Sequence, residues 1–224
     1  MFPRIRHAIL LVFLSWCPMK SPSPSQRERL LATLSQRGMA RLSELTRRGI
    51  TAATVSRLER EGAVVRLGRG LYQLPDAPLE ANHALAEATK RVPKGTICLV
   101  SAAAFHDLTD RIPSEVWMAI GQKDWRPRLE TPRIHFVRFS AKTLKAGTEE
   151  HVIEGVPVRI YDPAKTVVDL FRYRRRVGLN VAIESLKEAL RQRKATPAKI
   201  GQYADQAGAW ETVRPYLEAL TVDG

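Results

Sequence analysis

Two groups of polar residues are of the types from which active sites are built. His106-Asp107 with Asp110 would offer a general base beside carboxylates, and Asp162, Lys165 and Asp169 lie close enough along the chain to suggest a nuclease or kinase-like site. Each group has a plainer structural reading. In Tyr161-Asp162-Pro163-Ala164-Lys165-Thr166, Asp162 is placed to cap a helix and Pro163 to occupy its first position, where no N–H partner is needed. Lys165 then sits just inside that helix, and Asp169 lacks the strand-borne spacing a metal-dependent nuclease requires. The chain has no Walker loop, no GxSxG, no HExxH and no GxGxxG before a helix. The expectation is therefore a non-enzyme with no catalytic residues, no cofactor and no metal.

A third group suits recognition of DNA rather than catalysis: Arg41, Thr51, Thr54, Ser56, Arg57, Arg60, Arg66 and Arg69. Short hydroxyls and arginines near the start of a helix can reach base edges, while flanking arginines meet phosphate.

The elements that must position this group read as three short helices and a hairpin. Ser25-Gln26-Arg27-Glu28 is a capping box, Leu30, Leu31 and Leu34 follow at helical spacing, and Gly38 is placed to end the helix. A shorter helix is expected over Arg41 to Arg47 with Leu42 and Leu45 inward, and a third over about Thr51 to Glu61 with Val55 and Leu58 packed on the first two. Ala63-Val64-Val65-Arg66-Leu67 and Leu71-Tyr72-Gln73-Leu74, separated by Gly68-Arg69-Gly70, predict a tight hairpin with an arginine at its tip. The layout is that of a winged helix–turn–helix.

Charge agrees with a polyanionic partner. Residues 25 to 75 hold ten arginines against four glutamates, a net +6, within a chain of 224 residues and net charge +13. A length of 224 residues with 44% hydrophobic residues suits one large or two small domains. Cys17 and Cys98 are too few and too far apart for a disulfide framework or a cysteine zinc site, and a reducing cytoplasm is the expected location, with no role at a membrane.

Arg4 and Arg6 before the apolar run from Ala8 to Leu14 superficially resemble a signal peptide. That run is too short to span a bilayer, and Ser15-Trp16-Cys17-Pro18 offers no small-x-small cleavage site. Residues 1 to 24 are expected to be a disordered leader, with Met19 as the natural start and Pro22 and Pro24 interrupting any pattern.

After Pro75-Asp76-Ala77-Pro78 a second domain is expected over residues 79 to 224, making the whole an α/β (α+β) protein with a helical end. A helix is predicted from Leu79 to Arg91, a buried strand over Thr96 to Val100, and a helix capped by Ser101 running to Leu108. Glu115 to Ile120 and Arg133 to Phe139 are strand candidates, the second with mixed faces, and His151 to Ile153 with Val156 to Tyr161 form a hairpin around Glu154-Gly155. The helix after Asp162 carries Ala164, Val167, Val168 and Phe171 on one face, and further helices start near Asn180 and Thr196-Pro197. Their core candidates are Ile183, Leu186, Leu190, Ile200, Tyr203, Trp210, Val213 and Leu217.

From Arg159 to Lys199, eleven cations stand against four carboxylates, a second basic centre of +7. Lys165, Arg172, Arg174, Arg175 and Arg176 are its candidate partner surface. Nucleic acid, an acidic protein and plain complementation of a helix dipole all remain open for it.

The order of parts resembles one family. After the winged helix come Cys98-Leu99-Val100-Ser101-Ala102-Ala103-Ala104-Phe105-His106-Asp107-Leu108-Thr109, then Ile112-Pro113-Ser114-Glu115-Val116-Trp117, then Tyr161-Asp162-Pro163-Ala164-Lys165-Thr166-Val167-Val168-Asp169. From about Ser25 to about Leu190 the chain resembles the AbiEi antitoxins of type IV toxin–antitoxin systems. The resemblance implies a transcriptional autorepressor that binds double-stranded DNA repeats in its own promoter. It also implies a C-terminal domain that counters an AbiEii-like nucleotidyltransferase toxin in abortive infection against phage, without requiring a stable complex. Two other classes stay in view: a plain winged-helix regulator whose second domain senses a ligand or dimerises, and a nucleic-acid-processing enzyme.

Overall fold

In the computed structural model, which describes residues 23–77, 81–127, 129 and 131–222, the first helix starts where its capping box places it. The Ser25 hydroxyl accepts from the Glu28 amide at 3.2 Å and the Glu28 carboxylate accepts from the Ser25 amide at 2.8 Å, opening α1 (Gln26–Arg37). Gly38 ends it with φ 63°, and a short strand, β1 (Met39–Arg41), follows. Then come α2 (Leu42–Arg47), α3 (Ala52–Arg60), β2 (Val65–Gly68) and β3 (Leu71–Gln73). The three strands form an antiparallel sheet in the order β1-β3-β2, with a bulge in β2 between Arg66 and Gly68. Leu30, Leu34, Leu45, Val55, Leu58 and Val64 close a core under the helices, each at most 1% exposed.

The second part opens with α4 (His83–Arg91), followed by β4 (Thr96–Ile97), α5 (Leu99–Phe105), β5 (Val116–Gly121) and β6 (Ile134–Phe139). It continues with α6 (Ala141–Lys145), β7 (Thr148–Ile153), β8 (Val156–Tyr161), α7 (Pro163–Arg172), α8 (Arg174–Val177), α9 (Leu179–Arg191), α10 (Pro197–Gln206) and α11 (Trp210–Val222). The sheet order is β6-β5-β4-β8-β7, with β5·β6 and β4·β8 parallel and the other neighbours antiparallel. Both faces are covered, which resolves the mixed pattern of β6. Val137 and Phe139 join the core under α5, α7 and α9, while Ile134 and Phe136 pack with α4 on the other face. The fold is thus the expected mixed α/β with a helical end.

Met39 and Leu71, at 0% and 2% exposure, belong to the same apolar cluster as Leu85, Ala86, Val92, Ile153 and Val156. Helix α4 is therefore shared: it is the floor of the small sheet and one cover of the large one.

Three local expectations are corrected. The predicted strand over Thr96 to Val100 is cut at Ile97, because Leu99 adopts a left-handed φ of 48° and α5 starts there. Ser101 lies within α5 rather than capping it, and its hydroxyl accepts from the Trp117 amide at 2.9 Å, tying the helix to β5. Helix α7 is buried on nearly its whole circumference, from Ala164 to Phe171, rather than on one face, because α10 and the Phe139 and Tyr161 rings close over the side of Lys165 that its apolar spacing left polar. The expected leader falls almost wholly outside the described residues, as does the predicted helix start at Leu79.

Candidate nucleic-acid interface

The third helix owes its placement to one glutamine. Thr51 caps α3 by accepting from the Thr54 amide at 3.3 Å, and Gln26 Oε1 then accepts from the Thr51 amide (2.9 Å), the Thr51 hydroxyl (3.1 Å) and the Thr54 hydroxyl (2.8 Å). The start of α1 is thereby stapled to the start of α3. Thr51 and Thr54 hold the helix with these hydroxyls, a role the sequence pattern did not reveal because the glutamine acts across the fold.

Ser56, Arg57 and Arg60 project from the exposed side of α3. Arg57 lies 3.7 Å from Glu61, which also accepts from Arg27 at 2.5 Å; these side chains are 57%, 42% and 49% exposed. Exposed pairs of this kind are worth at most about 1 kcal/mol, so the Arg57 guanidinium is available to a stronger anionic partner. Arg60 Nε donates to the Ser56 carbonyl at 3.4 Å, a long bond that leaves the rest of the guanidinium outward.

The hairpin stands beside this helix with Arg69 exposed in its turn, while Arg66 Nε donates to the Gly68 carbonyl at 3.2 Å. Its root is braced from the second part of the chain. Arg91 of α4, held by Glu87 at 2.5 and 3.0 Å, donates to the Leu67 carbonyl at 2.9 Å and packs so closely on Gly68 that a Cβ there would collide with the guanidinium.

Arg41 is placed at the seam instead of on the α3 face. Its Nε donates to the Lys90 carbonyl at 2.6 Å, its amide donates to Glu44 at 2.7 Å, and Lys90 Nζ returns to Glu44 at 3.0 Å. Burial pushes the Glu44 carboxyl up, but the Arg41 amide and the Lys90 ammonium outweigh it and hold the group below its usual range.

In the second basic centre the expectation for Lys165 is overturned. It is 3% exposed, its ammonium pairs with Asp169 in the core and lies 4.5 Å from the Tyr161 ring and 5.0 Å from the Phe139 ring. Asp169 is 0% exposed and also accepts from Arg172 at 2.9 Å. A lysine in that position offers nothing to a partner, because Asp169 and the Phe139 and Tyr161 rings take up its ammonium. Asp162 caps α7 as expected, accepting from the Lys165 amide at 2.7 Å, and it further accepts from the Tyr203 hydroxyl at 2.8 Å and pairs with Lys199 at 3.1 Å. Arg172, Arg175 and Arg176 are exposed and Arg174 is half-buried, its guanidinium donating to the Phe171 carbonyl at 3.0 Å. Arg172 and Arg176 lie over the Phe139 and Tyr173 rings at 5.8 and 5.9 Å.

A three-helix unit carrying a basic helix and hairpin, fused through a shared helix to an α/β unit, has the layout of a helix–turn–helix fold. Residues 28–75 match the family described as transcriptional regulator, AbiEi antitoxin. The family is one of regulators, not of enzymes. Among solved structures, the Rv2827c protein from Mycobacterium tuberculosis is similar over 87% of this chain and 77% of its own, with a TM-score of 0.59 and 16% identity. That likeness is one of fold. No curated protein matches the chain. Among the described residues no helix is long and apolar enough to cross a membrane.

Proposed function

We propose that this chain is a DNA-binding autorepressor and the antitoxin of a type IV, AbiE-like toxin–antitoxin pair. Residues 25–75 serve as the DNA-binding domain and residues from 79 onward as the antitoxin domain. The observation that carries the reading is that the family match over residues 28–75 falls on the unit whose exposed face presents Ser56, Arg57 and Arg60, with Arg66 and Arg69 beside them.

In this reading α3 enters the major groove. Ser56 and Arg57 reach base edges and Arg60 meets phosphate, while the hairpin acts as the wing, with Arg69 on phosphate or in the minor groove. Thr51 and Thr54 fix the helix, and Arg41 with Arg91 fixes the attitude of the unit on the rest of the chain. The operator is a repeat in the protein's own promoter, and the setting is the bacterial cytoplasm during abortive infection. The C-terminal domain opposes a nucleotidyltransferase toxin, and Arg172, Arg174, Arg175 and Arg176 are the surface it offers.

A gel-shift titration of the chain from Met19 onward tests the first half, using the duplex upstream of its own gene, a scrambled duplex and a salt series. Selective retardation that weakens steeply with salt is expected. Equal retardation of both duplexes overturns autorepression. Co-expression with the neighbouring gene tests the second half, growth rescue by the chain being the expected result.

A second reading, a regulator that senses a small ligand, draws on one observation. A cavity of about 490 Å³ lies at the seam, lined by Leu34, Gly38, Ala63, Leu74, Glu154 and Gly155, a size that suits a small molecule. Compounds that fill it would change operator affinity in the same titration.

A further inference from the structure

Away from the DNA face, three side chains converge where α5 ends against the edge strand β7. Glu149 and His151 are two residues apart on that strand and so share one of its faces. His106, the residue that ends α5, meets them: one ligand atom from each of the three lies within 4.8 Å of the other two. Glu149 Oε2 and His151 Nε2 are 3.3 Å apart.

His106 is the anchored member, 9% exposed, with Nε2 2.8 Å from the Tyr161 carbonyl oxygen. A carbonyl can only accept, so the proton is on Nε2 and Nδ1 carries the lone pair. A histidine whose other nitrogen is bound to a backbone carbonyl is held as metal-ligating histidines are held. The Phe105 ring packs edge-on against both imidazoles, at 5.2 Å from His106 and 4.8 Å from His151. The neighbouring cation, Lys194, is taken up by the His106 carbonyl at 2.5 Å and by Asp107 at 3.3 Å.

We infer that His106, Glu149 and His151 are a three-ligand site for a divalent transition metal, zinc foremost, with water completing the shell. Two imidazoles and one carboxylate suit zinc, whereas calcium and magnesium take oxygen ligands. Zinc bonds of about 2.0–2.2 Å at tetrahedral angles put ligand atoms roughly 3.3–3.5 Å apart, so closure from 4.8 Å needs a movement of about 1 Å. The movement falls to His151 and Glu149, whose side chains are 31% and 46% exposed, while His106 stays fixed. A bound ion ties the end of α5 to β7, the strand whose following turn rests on α1.

The test uses the untagged full chain, stripped with chelator and titrated with zinc chloride by calorimetry, with cobalt(II) as a spectroscopic stand-in. The expected result is saturation near one zinc per chain, visible cobalt bands of four-coordinate intensity, and a raised Tm. H151A and E149Q should each weaken binding by about tenfold or more. Both lie at part-exposed positions, so the metal-free Tm should stay within a few degrees of the parent. No saturable binding below about 100 µM zinc, or binding that survives both substitutions, overturns the site.

Discussion

Gly38, at the end of α1, is pressed against Glu154 in the turn between β7 and β8: a Cβ on Gly38 would fall onto the Glu154 carbonyl oxygen. The contact is reciprocal, since a Cβ on Gly155 would lie 2.7 Å from the Gln36 carbonyl oxygen. His83 Nδ1 reaches the Glu154 carboxylate at 2.8 Å on the same seam, and Lys90 reaches Glu44 at 3.0 Å. The unit that carries the candidate DNA face is therefore packed against the sheet of the second part, and its attitude follows from that packing.

Gly38→Ala measures how firmly the seam is packed, with Gly62→Ala as its control. Both glycines have left-handed φ, 63° and 72°, but nothing lies within 4 Å of a Cβ at Gly62. Gly62→Ala should cost about 1–2 kcal/mol of backbone strain alone. Gly38→Ala adds an overpacking cost of roughly 1–3 kcal/mol against backbone that cannot swing away. Urea denaturation gives both values, and a Gly38→Ala cost equal to that of Gly62→Ala would show that the seam yields.

Arg57→Ala and Arg69→Ala should separate base reading from phosphate contact. The first removes a side chain from the exposed face of α3 and should cost about 1–3 kcal/mol on the operator while blurring sequence preference. The second removes a charge at the hairpin tip and should weaken operator and scrambled duplex alike, lowering the salt slope by about one. If both variants bind as the parent does, this face is not the one that meets DNA.

How much of this was legible in the sequence follows the range of the forces involved. Local chemistry was plain: the Ser25–Glu28 box, the helix starts at Asp162 and Thr196, and the Gly68-Arg69-Gly70 turn all stand where residue types placed them. Contacts between distant segments were not. Gln26 under α3, Arg91 behind the hairpin and Arg41 against Lys90 have no local signature, because each residue is ordinary until the fold supplies its partner. Lys165 shows the same limit from the other side. Its spacing reads as the polar side of an amphipathic helix, and only the arrival of α10 and of the Phe139 and Tyr161 rings turns that side inward.

That burial makes Lys165→Ala the most damaging change expected in the second basic centre. It leaves the Asp169 carboxylate in the core with Arg172 alone, and breaking a buried pair costs about 3–5 kcal/mol. Arg175→Ala and Arg176→Ala, on the exposed end of the same stretch, should change stability by no more than about 0.5 kcal/mol. Thermal denaturation of the three variants checks the contrast. A neutral Lys165→Ala would mean that the lysine is at the surface after all.

Two titrations should leave separate marks on stability as the solution is acidified. Burial holds His106 below its usual range, so the unfolded chain takes up a proton first, and stability should begin to fall as the pH drops below about 6.5. Glu44 is also lowered in the folded state, but for an acid the linkage acts at a different place. Its contribution is complete above the unfolded glutamate value of about 4.3 and is lost as the pH falls through that value toward the lower folded one. Glu44→Gln removes the carboxylate that Lys90 and the Arg41 amide hold, so it should lower Tm at pH 7 and converge on the parent near pH 3, leaving the upper step untouched. Tm measured from pH 8 to pH 3 on both proteins tests this. Parallel curves throughout would show that the Lys90–Glu44 pair adds nothing measurable and that the seam rests on the packing of Gly38 against Glu154.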